Sequence, residues 1–332
     1  MGLPRKAYVR DGQEGVYHCF TRCVRRAYLC GFDKLTGRDF SHRKAWVVDR
    51  LRFLTAIFAI EVLSYTVMET HDHNVVRTRP DIAASWSDRE VATRWLKLFP
   101  RHRRLRGGAV ATAEEEIHAL TNDPERIASL RERLCSLSWF MGQLNEYIAR
   151  KANKEDEVKG RFWEGRFKCQ ALLDDAAILA CMVYVDLNPI RAGLAGTPEE
   201  SDFTSIQVRI RGFEKETAGG WLCPIESNTE RRGSLRMTTG EYIDLVDRSG
   251  RMTRPDKRGA IDADLAPILL RIGANPEAWA ETISHFGTKF RLAAGLLSNL
   301  RRFADQLGRR WLIGVASARA AFASKPPQMV TP

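Results

Sequence analysis

Between residues 16 and 189, segments of strand and helix character follow one another in the order strand, helix, strand, strand, helix, strand, helix. Residues 16–30, VYHCFTRCVRRAYLC, are rich in Val, Tyr, Phe and Cys and read as a strand or a bent hairpin with arginines on one side. From His42 to about Ala59, Trp46, Leu51, Leu54 and Phe58 recur at helical intervals and form an apolar face. Residues 62–68 form a strand, and His71-Asp72-His73-Asn74-Val75-Val76 a second one in hairpin relation to it. Asp123-Pro124 starts a long helix that runs to about Arg150, with Ile127, Leu130, Leu134, Leu137, Leu144 and Ile148 on its apolar side. A loop and strand cover 162–170, and Asp174-Asp175 opens a further helix that Pro189 stops. The first six elements follow the split β-α-β plan. The expected fold class is therefore α+β, a ferredoxin-like domain whose antiparallel sheet carries helices on one face.

The remaining chain is assigned around that domain, which is taken as residues 1–205. Residues 81–122 are a basic insertion in which Arg94, Lys97, Arg101, Arg103, Arg104 and Arg106 are interleaved with Trp95 and Phe99. Such a run is either a solvated face or a phosphate contact. Residues 206–260, with scattered Gly, Pro and Arg, are expected to be a linker or arm. A mostly helical module follows over 261–320, with helices at about 262–273, 275–286 and 289–307, and 321–332 is a disordered tail.

Charge narrows the partners. With 52 Lys and Arg against 41 Asp and Glu, the formal net charge is +11, and a positive field of this size favours polyanions. Charge alone does not separate DNA from RNA or from an anionic membrane surface. The seven cysteines are odd in number and lack the paired spacings of a zinc site, so they read as buried free thiols. Neither a secretory signal nor an apolar run of about 20 residues is visible, which predicts a cytoplasmic protein.

His71 and His73 are two apart on a strand, so both imidazoles point to one face of the sheet and can present two nitrogens to one divalent ion. Alone, such a pair is as compatible with ordinary core or surface filling. Tyr184 and Asn188 are four apart and share a helical face with Ala180, which leaves the ring room to meet a substrate. The competing reading is a buried tyrosine with Asn188 as a helix cap before Pro189.

The segment Tyr184-Val185-Asp186-Leu187-Asn188-Pro189-Ile190-Arg191-Ala192-Gly193-Leu194 and the block from Tyr65 to Val76 resemble the REP-associated tyrosine transposases, within the single-tyrosine HUH superfamily. Val16-Tyr17-His18 through Arg25-Arg26 is similar to that family's first strand, and Phe162-Trp163-Glu164-Gly165-Arg166-Phe167 to its aromatic-basic stretch. Together these span residues 15–205. The resemblance implies Tyr184 as nucleophile and His71, His73 and Asn188 as ligands of a divalent metal ion, Mg²⁺ or Mn²⁺. It implies a reaction in which single-stranded DNA with palindromic hairpins is cleaved and rejoined through a 5′-phosphotyrosine link, by a monomer or homodimer acting at the bacterial nucleoid. Candidate DNA contacts are Arg22, Arg25, Arg26, Arg103, Arg104, Arg166, Lys168 and Arg191. The C-terminal module would clamp DNA, mediate assembly or cover the site.

One departure stands out. The residue between the two histidines is usually hydrophobic in that superfamily and here is Asp72, with Asn74 on the same face of the strand. That back face is expected to be solvated, to pair with a cation such as Arg77, or to be closed by a polar network. Two rivals remain: a DNA-binding protein that keeps the fold without catalysis, favoured by Asp72 and Asn74, and an RNA-binding protein on the same sheet.

Overall fold

The computed structural model describes residues 4–10, 12–24, 30–33, 37–100, 111–214, 220–225, 235, 237–252, 269 and 274–322. Its strands are β1 (Gly15–Arg22), β2 (Ile60–Val67), β3 (His71–Thr78), β4 (Lys168–Leu172) and β5 (Ala293–Ala294). The helices are α1 (Arg43–Thr55), α2 (Pro80–Ser85), α3 (Asp88–Leu98), α4 (Ala113–Thr121), α5 (Pro124–Cys135), α6 (Leu137–Glu155), α7 (Asp175–Asp186) and α8 (Asn188–Arg191). Beyond them lie α9 (Ser205–Glu214), α10 (Thr239–Met252), α11 (Pro276–Ser284), α12 (Phe286–Lys289), α13 (Leu297–Gln306) and α14 (Val315–Ala321).

The architecture is mixed α/β around one sheet of order β2-β3-β1-β4-β5. The first four strands pair antiparallel throughout, in an order compatible with the ferredoxin-like expectation. The two-residue β5 adds to β4 in parallel and comes from the C-terminal third of the chain.

Helices cover both faces of this sheet rather than one. Thr21, paired with Asp72 across β1 and β3, meets Asn145 of α6, so α6 lies on the Asp72 face together with its neighbour α1. Helix α7 lies on the other face, where Ser64 Oγ donates to the Met182 carbonyl and Tyr184 meets the imidazoles. The cause is compositional: α7 is apolar all round, and ten of its twelve residues are buried, so it needs protein on every side.

Local chemistry sets the element ends. Asp123 caps α5 by accepting from Arg126 N, and Asp174 caps α7 by accepting from Ala177 N. The long helix expected over 123–150 is two helices, because Ser136 adopts extended dihedrals (φ −82°, ψ 122°) between α5 and α6. The basic insertion is largely helical as well, forming α2, α3 and α4, while residues 101–110 lie outside the described residues. In α3, Trp95 is buried and packs tilted against Phe99 and edgewise against Trp139, so these aromatics are core rather than a phosphate-binding surface.

The stretch 206–260 expected as a linker or arm contains α9 and α10, and both are docked. Asp186, fully buried at the end of α7, accepts from Ser205 Oγ, Ile206 N and Tyr242 Oη. Arg209 donates to the Leu63 and Cys223 carbonyls along the β2 edge. One carboxylate thus ties α7 to α9 and α10. Asp186→Ala strands the buried Ile206 N–H and Tyr242 hydroxyl, while Ser205 Oγ keeps Ser64 Oγ, and is expected to lower stability by roughly 2–3 kcal/mol in urea unfolding, more than an exposed control such as Asp305→Ala. Of the C-terminal helices, α11 lies within the expected 275–286, while the helix expected at 289–307 is shorter, α13 beginning only at Leu297 after β5. The one expected at 262–273 falls almost wholly outside the described residues, as do the last ten residues of the tail.

Candidate functional site

Antiparallel register places side chains that face each other across strands on one side of the sheet. Phe20 faces both His73 and Lys168, Arg22 faces His71, and His18 faces Val75 and Gln170. His18, Phe20, Arg22, His71, His73, Lys168 and Gln170 therefore share the face covered by α7. His71 and His73 lie with ring centroids 4.9 Å apart, and His73 stacks on His18 at 5.1 Å.

Helix α7 brings Tyr184 down onto this group. Its ring is edge-on to His73 at 5.7 Å and to His18 at 5.9 Å. Pro189 lacks the N–H that would continue the ladder, and the helix is interrupted at Leu187, one residue before α8 begins. Leu187 keeps right-handed helical dihedrals (φ −84°, ψ −1°), so Asn188 stays one turn from Tyr184. It opens α8 instead of capping α7.

The space expected beside Tyr184 is filled by the C-terminal third of the chain. Phe286 packs on the tyrosine ring with centroids 5.9 Å apart. A Cβ on Gly287 would come within 2.9 Å of Tyr184 Oη, so the phenol lies directly under the backbone of α12. Arg191, a candidate DNA contact, sits with its guanidinium 4.9 Å from the Tyr184 ring centroid and donates to the carbonyls of Ile283 and Ser284 at the end of α11. Phe286 and Gly287 thus lie over the tyrosine ring.

Burial pushes the phenol of Tyr184 above its ordinary value, while the positive charge of Arg191 and hydrogen bonds from Asn188 and Arg191 draw it partly back. Burial lowers all three imidazoles. His18 and His71 fall to about 4, the latter with help from the Arg22 charge, and His73 falls well below the usual value. All three are neutral at pH 7, the form in which an imidazole ligates a metal.

The donor atoms suit a divalent cation. His71 Nδ1 is engaged by Thr70 Oγ1 at 3.0 Å and His73 Nδ1 by His18 Nε2 at 2.9 Å. Each Nε2 is left without a hydrogen-bond partner among the described residues, and the half-buried Asn188 adds an amide oxygen. No group of three or more His, Cys, Asp and Glu side chains is arranged to hold a metal among the described residues. All seven cysteines are free, and six are buried.

The other candidate DNA contacts divide by position. Arg22 and Lys168 are exposed on the imidazole face, with Lys168 Nζ 5.4 Å from the Phe20 ring centroid. Arg166 is exposed in the segment before β4. Arg25, Arg26, Arg103 and Arg104 lie outside the described residues.

Asp72 is buried and does not pair with Arg77. The two are five apart on one strand and so point to opposite faces, and Arg77 bonds Glu61 on β2 instead. Asp72 accepts from Asn74 Nδ2, and Thr21, its other partner, meets Asn145 at 3.3 Å. Of the expected arrangements for this back face, the one present is closure by a polar network.

Residue-by-residue reading of the sequence did not single out His18, Gln170, Phe286 or Gly287. His18 and Gln170 could have been placed on the imidazole face by strand parity only once the pairing of β1 with β3 and β4 was known.

No family model and no curated protein matches the chain. Among solved structures, a REP-associated tyrosine transposase bound to a REP hairpin is similar at a TM-score of 0.38 and 11% identity, over 70% of this chain and 98% of that one. The likeness is distant. No described helix is long and apolar enough to cross a membrane.

Proposed function

We propose that this chain is a DNA-strand transferase that cleaves and rejoins single-stranded DNA beside a hairpin through a 5′-phosphotyrosine link on Tyr184. The observation that carries this reading is the convergence of Tyr184, from α7, on the paired imidazoles of β3, with Asn188 one turn further on. The resemblance of the Tyr184–Leu194 and Tyr65–Val76 segments to REP-associated tyrosine transposases points the same way.

The Nε2 atoms of His71 and His73 and the side-chain oxygen of Asn188 would hold a Mg²⁺ or Mn²⁺ ion. Such an ion, when bound, neutralises charge on the scissile phosphate and orients it. Tyr184 Oη attacks phosphorus, the P–O3′ bond breaks, and the proton released by the phenol is balanced by the one taken up on the departing 3′-oxygen. One phosphodiester is exchanged for another, so a later 3′-hydroxyl reverses the step without water or nucleoside triphosphate. Arg22 and Lys168 on the sheet face supply positive charge for the DNA backbone, and Arg191 steadies the tyrosine ring.

A second reading, a DNA-binding protein without cleavage, draws on the cover that Phe286 and Gly287 place over the tyrosine. Labelled hairpin-bearing single-stranded DNA incubated with the full chain and Mg²⁺ or Mn²⁺ separates the two. A covalent protein–DNA adduct on a denaturing gel is expected, and Tyr184→Phe should remove it entirely. An adduct that survives Tyr184→Phe, or none on any hairpin-bearing DNA, overturns the proposal.

A further inference from the structure

The imidazole that contacts Tyr184 is itself held by a chain of side chains crossing three strands. Gln170 on β4 faces His18 on β1, and Gln170 Oε1 lies 3.4 Å from His18 Nδ1. His18 Nε2 lies 2.9 Å from His73 Nδ1 on β3. All three residues are at most 6% exposed, so water does not compete for these bonds.

A neutral imidazole carries one proton, on one of its two nitrogens. In the amide orientation present, which leaves Gln170 Nε2 without a partner among the described residues, Oε1 can only accept and so requires the proton of His18 on Nδ1. His18 Nε2 is then an acceptor, and the contact with His73 is made by a proton on His73 Nδ1. The proton position at Gln170 thus sets the tautomer two residues away, and His73 Nε2 is left as a lone pair. If the Gln170 amide were reversed, its N–H would donate to His18 Nδ1. His18 Nε2–H would donate to His73 Nδ1, and the proton on His73 would move to Nε2, where it blocks ligation. His71 needs no such chain, because the Thr70 hydroxyl beside its Nδ1 is able to accept directly.

We propose that His18 and Gln170 are positioning residues whose hydrogen-bond chain across β4, β1 and β3 fixes the proton of His73 on Nδ1 and presents its Nε2 to a divalent cation. The proposal rests on the reading of His71 and His73 as a metal pair. It adds two residues that touch neither cation nor DNA. Outer partners of this kind orient the ring and raise ligand basicity, and their loss weakens metal binding by about 10- to 100-fold.

The test uses the metal-free full chain without DNA. Mn²⁺ binding is followed by electron paramagnetic resonance of the free ion, and imidazole tautomers by long-range ¹H–¹⁵N correlation of the ring nitrogens at pH 7.5. Wild-type chain is expected to bind Mn²⁺, with His73 as the Nδ1–H tautomer, and His71→Ala to abolish binding. Gln170→Leu and His18→Phe are each expected to weaken binding 10-fold or more, with His73 redistributing between tautomers. Gln170→Met, of similar length but without the amide, is expected to weaken binding and scramble the tautomer as Gln170→Leu does. Should His18→Phe not fold, the affinity and the His73 tautomer in Gln170→Leu and Gln170→Met carry the test.

Wild-type affinity in the folded His18→Phe and Gln170→Leu variants overturns the inference, as does a wild-type His73 protonated on Nε2. If wild-type chain binds no Mn²⁺, or His71→Ala binds it normally, the metal-pair reading itself fails.

Discussion

His73→Ala is expected to abolish DNA cleavage by the full chain, with at least a 10³-fold loss of adduct formation, while hairpin affinity changes less than about threefold. The two effects separate because different groups carry them. His73 is buried beneath Tyr184 and makes its contacts with His18, His71 and the tyrosine ring. Arg22 and Lys168 are exposed on the same face, and in the proposed reading their charge would meet the phosphates. If the pair holds the ion as proposed, loss of one imidazole would remove several kcal/mol of transition-state stabilisation, and each 1.4 kcal/mol is about tenfold in rate. Gel-shift titrations of both proteins over a series of salt concentrations measure the binding half. Equal slopes of affinity against salt are expected, because no phosphate contact is lost. His71→Ala should behave in the same way. Cleavage by either variant at the wild-type rate contradicts the site.

Asp72→Asn is expected to stabilise the chain at pH 8 by about 4 kcal/mol and to leave stability at pH 4 nearly unchanged. Burial raises the Asp72 carboxyl to about 7, against an ordinary value of 3.8. A folded-state value above the unfolded one means that the folded chain holds the proton more tightly. Its stabilising contribution is complete below the unfolded value and is lost as pH rises through about 7. At pH 8 the wild-type chain buries an ionised carboxylate that Arg77, on the far side of the sheet, does not pair. Asparagine has nearly the same shape and does not ionise. The depressed imidazoles pull in the opposite direction, but they are common to both proteins and cancel in the difference. Urea unfolding of wild type and variant without metal, at pH 4 and pH 8, gives the result directly. A difference that does not grow with pH would mean that Asp72 is not buried as a carboxylic acid.

Strand and helix periods made part of the site legible. A period of two put His71 and His73 on one face, and a spacing of four kept Asn188 one turn from Tyr184 even though the helix is interrupted at Leu187. The same period should have excluded Arg77 as a partner for Asp72, since an odd spacing along a strand separates faces. Composition misled over 206–260, where scattered Gly, Pro and Arg suggested an arm. The helices there are held by Asp186, Tyr242 and Ser205, polar contacts between residues that are distant in sequence and leave no periodic trace.

What the sequence determined by itself was therefore local: which residues of one element share a face, where Asp174 starts α7, and where Pro189 interrupts it. Only the tertiary structure decided that α7 lies on the imidazole face and not beside α1 and α6, that His18 and Gln170 line up behind His73, and that Phe286 and Gly287 cover the tyrosine. His18 and His73 are 55 residues apart, and His18 and Gln170 are 152 apart. The backbone geometry of one element fixes the direction of its own side chains, but not which other element meets them. That is settled by how all the apolar faces are buried together, and here this brings a tyrosine, a histidine pair and its supporting chain to one place.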